Sequence, residues 1–472
     1  MSFTSLSFLV FLPIVFAIYW ALQRRLAWQN MFLLVASYVF YGWWDWRFLL
    51  LIFITSLSSY VCGIAIQRWR HRRNKARMAL WGNVVLNLGI LACFKYFNFF
   101  ADNLAAMFGL LGFNPDMPTL NVILPVGISF YTFQSLGYVI DIYRQKMNAT
   151  TSPLSFFTYI AFFPQLVAGP IERASGLLPQ IQKSRQFNDG QATEGLRRML
   201  WGFFKKMVVA DNCALGVDAI WNDYADASPL TLIAGMVLFS FQIYGDFSGY
   251  SDIAIGTARL FGIELMENFR LPYLSRNMVE FWRRWHVSLM TWFRDYVYIP
   301  LGGSRGSTIA TVRNTLIVFF LSGLWHGANY TFIVWGLYNG GLILLARFVF
   351  KVRVRAADDV ASLRQLPSIL LTFVLAAIGW VIFRSDCLAE AVTYLSHMLD
   401  GLASLQWGAL IYGRWALLWC VLLVVIEWFS RRCVHPLASS LSPAMRWTLY
   451  YLLLAAIIFG RGEATTFIYF QF

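Results

Sequence analysis

Apolar runs long enough to cross a bilayer recur along the whole 472-residue chain, and the basic residues collect in the short segments between them. A crossing helix needs about 17–25 apolar residues, and no soluble domain of useful size fits between these runs. The chain is 58% hydrophobic and 13% charged, where soluble proteins carry about 25% charged residues. The expected fold is therefore an all-α polytopic membrane domain covering residues 1–472. The net charge of +14 follows from basic loops, as the positive-inside rule anticipates. No aromatic-basic groove accompanies it, so nucleic acid is excluded as a partner. Lipid headgroups and an anionic cytoplasmic cosubstrate are the expected contacts.

Charge asymmetry sets the expected topology. Residues 67–77 hold Arg68, Arg70, Arg72, Arg73, Lys75 and Arg77, which marks the inside. Residues 101–119 hold Asp102 and Asp116 with no Lys or Arg, which marks an external loop. Five spans follow, near 5–22, 31–43, 48–66, 78–100 and 120–143, starting from an external N-terminus. Residues 156–168 are apolar but too short for a span, so a re-entrant or partly buried segment is expected. A basic stretch over 183–206 then leads to a span ending near Trp221. The next, 231–260, is expected to break at Gly245-Asp-Phe-Ser-Gly-Tyr-Ser-Asp252. Residues 261–313, basic and aromatic, predict amphipathic or re-entrant helices at the cytoplasmic face. Spans near 366–383, 415–430 and 447–459 bring the total to eleven or twelve, with the tail from Arg461 to Phe472 external. No inverted repeat of the transporter kind is evident.

Chemistry concentrates in two histidines. His326 lies in residues 314–346, a run of 33 without a charged side chain. Wholly helical, it would measure about 50 Å, too long for one crossing and barely enough for two, and Gly323, Gly327 and Asn329 offer a break beside His326. A histidine at membrane depth is rare and tends to face an interior or a water-filled cavity, and imidazole titrates near neutrality and serves as a general base. The bland reading is a histidine hydrogen-bonded to a neighbouring helix. His286, after Arg283, Arg284 and Trp285, is the second candidate, with an interfacial residue in a basic helix as its bland reading. Asp246 and Asp252 are carboxylates within a span and either orient a histidine or, the stronger reading, hold structure with Tyr244, Ser248, Tyr250 and Ser251. Ser248 lacks a G-x-S-x-G context, and Arg305 in Gly302-Gly-Ser-Arg-Gly306 is a low-specificity phosphate signal. His71, His397 and His435 are expected on solvated surface, His397 in an external loop and His435 in a cytoplasmic turn. The six cysteines are scattered with no C-x-x-C pair, and nothing clusters as a metal site.

At these residues the sequence resembles the membrane-bound O-acyltransferase family, in its bacterial polysaccharide branch. The likeness rests on Ser37-Tyr-Val-Phe-Tyr-Gly-Trp43, Leu124-Pro-Val-Gly-Ile-Ser-Phe-Tyr-Thr-Phe-Gln134, Pro164-Gln-Leu-Val-Ala-Gly-Pro-Ile171 and Gln242-Ile-Tyr-Gly-Asp-Phe-Ser-Gly-Tyr-Ser-Asp252. It continues through Phe281-Trp-Arg-Arg-Trp-His-Val-Ser-Leu289, Tyr298-Ile-Pro-Leu-Gly-Gly303 and Leu324-Trp-His-Gly-Ala328. The resemblance implies a ring of tilted helices around a thin centre, with a tunnel joining a cytoplasmic donor to the opposite face. N-terminal spans would occupy 1–150, the catalytic core 151–350, and C-terminal spans with an external tail 351–472. It implies that His326 is the catalytic base and that His286 orients a thioester or stabilises an oxyanion. Trp285, Trp325 and Asn329 join Asp246, Ser248, Asp252 and Arg305 as candidates for the donor site or tunnel lining. It further implies acetyl-CoA or another acyl thioester as donor substrate, no permanently bound cofactor, a periplasmic SGNH-type transferase as partner, and a bacterial inner membrane. Alginate, cellulose and peptidoglycan are the candidate polymers. D-alanylation of teichoic acid, a pure transporter and an inactive export scaffold are the competing readings.

Overall fold

In the computed structural model, residues 1–113, 119, 125–167, 169–352, 360–403, 413–438 and 442–468 are described. Their regular structure is helical throughout, and they cluster into two compact units. The first comprises Met1–Ala192 with Ala258–Leu265, the second Thr193–Thr257 with Met266–Phe472.

The first unit is built on α1 (Leu6–Ala21), α2 (Leu26–Gly42), α3 (Phe48–Arg68), α4 (Arg73–Lys95), α5 (Phe97–Leu110), α6 (Ile128–Tyr143), α7 (Pro153–Ala161), α8 (Phe163–Leu166) and α9 (Ala174–Gln182). Caps set several starts: the Ser5 side chain accepts from Phe8 N–H, and Ser152 accepts from Ser155 N–H ahead of Pro153. The span expected at 78–100 is α4, of mean hydropathy 1.5 yet only 17% buried over its apolar window. Met78, Trp81 and Val85 on it are 74%, 55% and 67% exposed. A helix that bares so much apolar surface is stable in lipid, not in water. The external loop expected at 101–119 is instead helical as far as Leu110, because Leu104, Ala105, Ala106 and Met107 carry good helix propensity between the aspartates. Residues 114–118 and 120–124 fall outside the described residues. The short apolar stretch beginning at Phe156 is not a span but part of two short helices, α7 and α8, whose side chains are largely buried.

The second unit contains most of α10 (Asp189–Phe203), then a π-helical segment Phe204–Ala210, α11 (Asp211–Asn222), α12 (Pro229–Leu260), α13 (Met278–Arg284), α14 (Val287–Phe293), α15 (Thr308–His326), α16 (Tyr330–Leu344), α17 (Leu366–Arg384), α18 (Leu388–Ala403), α19 (Arg414–Phe429) and α20 (Pro443–Phe459). Here α12 departs from expectation. It runs 32 residues without interruption through the segment read as a break. Its glycines serve close packing instead. A Cβ on Gly249 would fall 2.8 Å from the Gly202 carbonyl oxygen, and one on Gly256 would fall 2.5 Å from that of Gly195. Small residues let helix backbones approach closely, the same role they play where lipid removes the hydrophobic driving force between helices.

The uncharged run of residues 314–346 does break where expected. α15 ends at His326, and Asn329 starts α16 by accepting from Thr331 N–H at 3.1 Å. The two helices fold into a tight hairpin. A Cβ on Gly323 would meet the Phe332 carbonyl oxygen at 2.2 Å, and one on Gly336 that of Phe319 at 2.2 Å. Gly323→Leu and Gly336→Leu are therefore expected to destabilise by more than the ~1–3 kcal/mol of ordinary overpacking, because the obstacle is backbone. Thermal unfolding in detergent checks this, with Gly341→Leu, which meets nothing within 4 Å, keeping the wild-type midpoint. An unchanged midpoint in the first two variants would refute the close hairpin.

One more expectation is corrected. The loop expected to carry His397 is α18, an amphipathic helix whose polar face leaves His397 exposed. The tail from Arg461, expected to be external, packs within the second unit: Gly462 N–H donates to Met207 O at 3.1 Å, and Phe467 and Ile468 are buried. Residues 469–472 lie outside the described residues. Among the described residues, six helices, α3, α4, α12, α15, the helix running on from α16 to Val349 and the one ending with α17, are long and apolar enough to cross a membrane, and α1 and α20 are apolar but shorter. The chain is a multi-pass membrane protein.

Candidate active site

Both candidate histidines sit at helix breaks in the second unit. α13 ends as Trp285 N–H donates to Phe281 O, and His286 follows with φ 43° and ψ 53° before α14 begins. The left-handed region is uncommon for a residue with a Cβ and persists only where neighbours hold it. Asn268 is that neighbour: its carbonyl accepts from Val287 N–H at 2.9 Å and its Oδ1 from Ser288 N–H at 3.3 Å. The His286 ring is 1% exposed, with Nδ1 3.0 Å from Asn268 Oδ1, and packs against Phe247 at 4.6 Å, Phe269 at 6.4 Å and Trp325 at 5.8 Å between ring centroids. Burial pushes its imidazole down to about 3, so the ring is neutral at physiological pH.

His326 closes α15 and is 4% exposed. Its ring stands edge-on to Trp325, Trp335 and Phe383, with centroids 5.0, 5.0 and 5.2 Å away. Trp325 thus touches both imidazoles. Forty residues of sequence separation become one shared aromatic ring.

On the far side of Phe269 from His286 is a cavity of about 620 Å³, lined by Lys205, Tyr244, Asp252, Phe269, Arg431 and His435 among others; neither His286 nor His326 is part of its wall. Phe269 belongs both to its wall and to the shell of His286. Five lining residues are Lys or Arg and three are Asp or Glu, so the space favours an anion. Within the wall, Tyr244 Oη donates to Glu427 Oε1 at 2.6 Å, and Asp252 is paired with Lys205 at 2.6 Å and Arg198 at 2.8 Å.

The remaining sequence candidates separate. Asp252 lines the cavity, and Ser248 accepts from Lys205 Nζ at 2.9 Å. Asp246 is paired with Lys206 and holds the Ile468 N–H, which makes it an anchor for the tail. Neither aspartate orients a histidine; Asn268 does so for His286. Trp285, 1% exposed, packs behind the site on Phe269 and Trp380. Asn329 is a helix cap, its Nδ2 donating to Asp386 O. Arg305 is exposed on a turn and is not part of the cavity wall. His435, expected in solvent, is 3% exposed, bonded through Nε2 to Glu194 at 2.6 Å, and part of the cavity wall. The turn carrying it folds inward, which no local signal announced. His71 is exposed, as expected. Glu427 was missed although it interrupts an apolar run, a readable signal; Asn268 and Phe269 left none.

The sequence profile of the membrane-bound O-acyltransferase family matches residues 146–369. A protein of Pseudomonas aeruginosa named "Probable alginate O-acetylase" is 43% identical over 394 residues, which cover 83% of this chain and 73% of that protein. The chain belongs to the membrane-bound O-acyltransferases. It is an enzyme of acyl transfer, and both histidines fall within the matched region. The peptidoglycan O-acetyltransferase of Helicobacter pylori is 32% identical over 521 aligned positions, covering 99% of this acyltransferase and 97% of the relative. The teichoic acid D-alanyltransferase of Bacillus subtilis is 30% identical over 57% of this chain and 71% of its own. The O-acetyltransferase relatives thus align over more of this O-acyltransferase than the D-alanyl relative does.

Proposed function

We propose that this O-acyltransferase takes an acetyl group from cytoplasmic acetyl-CoA and moves it across the membrane for O-acetylation of an exported or cell-wall polysaccharide, with His326 as base. The observation that carries this reading is the shared contact of His326 and His286 with Trp325, with His286 separated by Phe269 from a basic cavity of about 620 Å³. A space of that size accommodates an extended thioester arm, and the lining arginines suit phosphate groups. His326 takes the proton as the acceptor oxygen forms its bond to the thioester carbonyl carbon. The C–S bond then breaks, and the departing thiolate receives the proton from the imidazolium. The carbonyl end of α15 favours the positive charge that His326 carries between those events. The aromatic shell keeps water from the thioester, and holding the two reactants together supplies much of the rate. A periplasmic SGNH-type transferase places the acetyl group on the polymer, which is alginate, cellulose or peptidoglycan. In this reading the protein sits in the bacterial inner membrane with eleven or twelve crossings and both termini outside.

The test is transfer from labelled acetyl-CoA in proteoliposomes, with D-alanyl carrier protein as the competing donor. Arg270 and Arg432 line the cavity, and neither guanidinium has an ion-pair partner among the described residues. The double variant Arg270→Gln/Arg432→Gln is expected to raise KM for acetyl-CoA by about ten-fold or more, the loss of one or two charge-assisted contacts, with kcat little changed. Transfer from the carrier protein alone, or an unaltered KM, would remove the CoA donor.

A further inference from the structure

We propose that Asn268 is a positioning residue for His286, fixing the ring proton on Nδ1 so that Nε2 is a proton-accepting nitrogen in the acyl-transfer site. The placement of His286 in that site rests on the function proposed above; the assignment of its proton does not. Asn268 is fully buried, and its amide orientation is set by a group that cannot change role. A backbone N–H, that of Ser288, lies 3.3 Å from Oδ1, so the atom facing it must be oxygen. The Ser288 hydroxyl adds a second donor to Oδ1 at 2.9 Å, while Nδ2 donates to Ser251 Oγ at 3.1 Å. His286 Nδ1 stands 3.0 Å from the same Oδ1. An amide oxygen only accepts, so Nδ1 must carry the hydrogen, and in a neutral imidazole Nε2 then carries the lone pair.

This has a chemical consequence. Nε2 meets a group that brings a hydrogen of its own, a substrate hydroxyl or amide N–H. It does not donate to an oxyanion, the role that the sequence resemblance had left open. Among the described residues, Phe247 of α12, Phe269 and Trp325 of α15 pack on His286 and bear no charge, and Ser251 and Ser288 supply nearby hydroxyls. Burial is accordingly the cause of its depressed titration.

The test combines a spectroscopic and a kinetic readout on the full chain in nanodiscs. Histidine 15N shifts, with the His286 signals assigned by loss in His286→Gln, are expected to show a protonated Nδ1 and a bare Nε2 at pH 7. Asn268→Asp keeps the acceptor and adds charge. It is expected to preserve that proton position and to raise the imidazole's affinity for a second proton. Since a doubly protonated ring has no accepting nitrogen, the acid limb of kcat should move to higher pH by about one unit or more. Asn268→Leu should lose the proton preference and lower kcat about ten-fold or more, with KM for the thioester little changed. A wild-type Nε2–H, or a His286 imidazole whose titration, followed by its 15N shifts, is unmoved in Asn268→Asp, overturns the proposal. A bare Nε2 with fully active His286→Gln would overturn the catalytic placement of His286 and leave the proton assignment standing, which separates the two failures.

Discussion

His326→Ala is expected to lower polymer-linked acetyl by about 10²–10⁴-fold, the loss that removing a general base brings, in cells matched for membrane level. The ring sits in a box of Trp325, Trp335 and Phe383, so alanine also leaves a void. His326→Gln supplies the control: it keeps most of the volume and a hydrogen-bonding end but cannot take up a proton. Both variants should be inactive, and the glutamine variant should unfold at the wild-type temperature. Thioester cleavage, followed separately with labelled donor, should fall in parallel with transfer. Cleavage that persists while transfer stops would assign His326 to passage of the acyl group rather than to the bond-breaking step. Polymer acetylation untouched in both variants would remove His326 as the base and favour a scaffold.

The second large effect concerns stability. Lys206→Met is expected to destabilise by about 3–5 kcal/mol, because it leaves two buried carboxylates without their cation. Lys206 is 1% exposed, with Nζ 2.7 Å from Asp211 Oδ1 and 2.8 Å from Asp246 Oδ1. The same ammonium donates to the Thr465 carbonyl at 3.2 Å, Thr465 Oγ1 donates to Asp211 at 2.6 Å, and Ile468 N–H donates to Asp246 at 2.7 Å. One cation therefore ties the C-terminal segment to the π-helical turn. Removing it should lower the unfolding midpoint in detergent and open the tail to protease at Arg461. The triple variant Lys206→Met/Asp211→Asn/Asp246→Asn discriminates between causes: it removes the charges together and keeps hydrogen-bonding groups, so most of the stability should return. Equal loss in the single and triple variants would show that shape, not uncompensated charge, is what Lys206 provides.

Particular residues show how far the sequence reaches. The break beside His326 was legible because 33 uncharged residues exceed one bilayer and Gly323, Gly327 and Asn329 punctuate them; local chemistry and a length constraint sufficed. The supposed break in α12 was misread because glycine has two uses. Flexibility and close approach look identical in one strand of sequence, and only the partner backbone at Gly195 and Gly202 distinguishes them. His435 was placed on solvated surface because loops usually run over the surface, and the tail was read only as external. Their burial comes from Glu194 and Lys206, more than 240 positions away in sequence. The roles of Asp246 and Asp252 were half legible: a carboxylate in a span must be paired, but which cation pairs with it is not a local property.

By itself, then, the sequence determined a helical membrane protein and its family and singled out two candidate histidines, because bilayer thickness, charge placement and long motifs are all written along the chain. Tertiary structure alone decided that both imidazoles meet on Trp325, that Asn268 rather than an aspartate holds His286, and that Phe269 stands between His286 and a basic cavity. The reason is physical: tautomer, burial and cavity shape arise from contacts between residues far apart in sequence, and no local pattern encodes which distant backbone or side chain arrives.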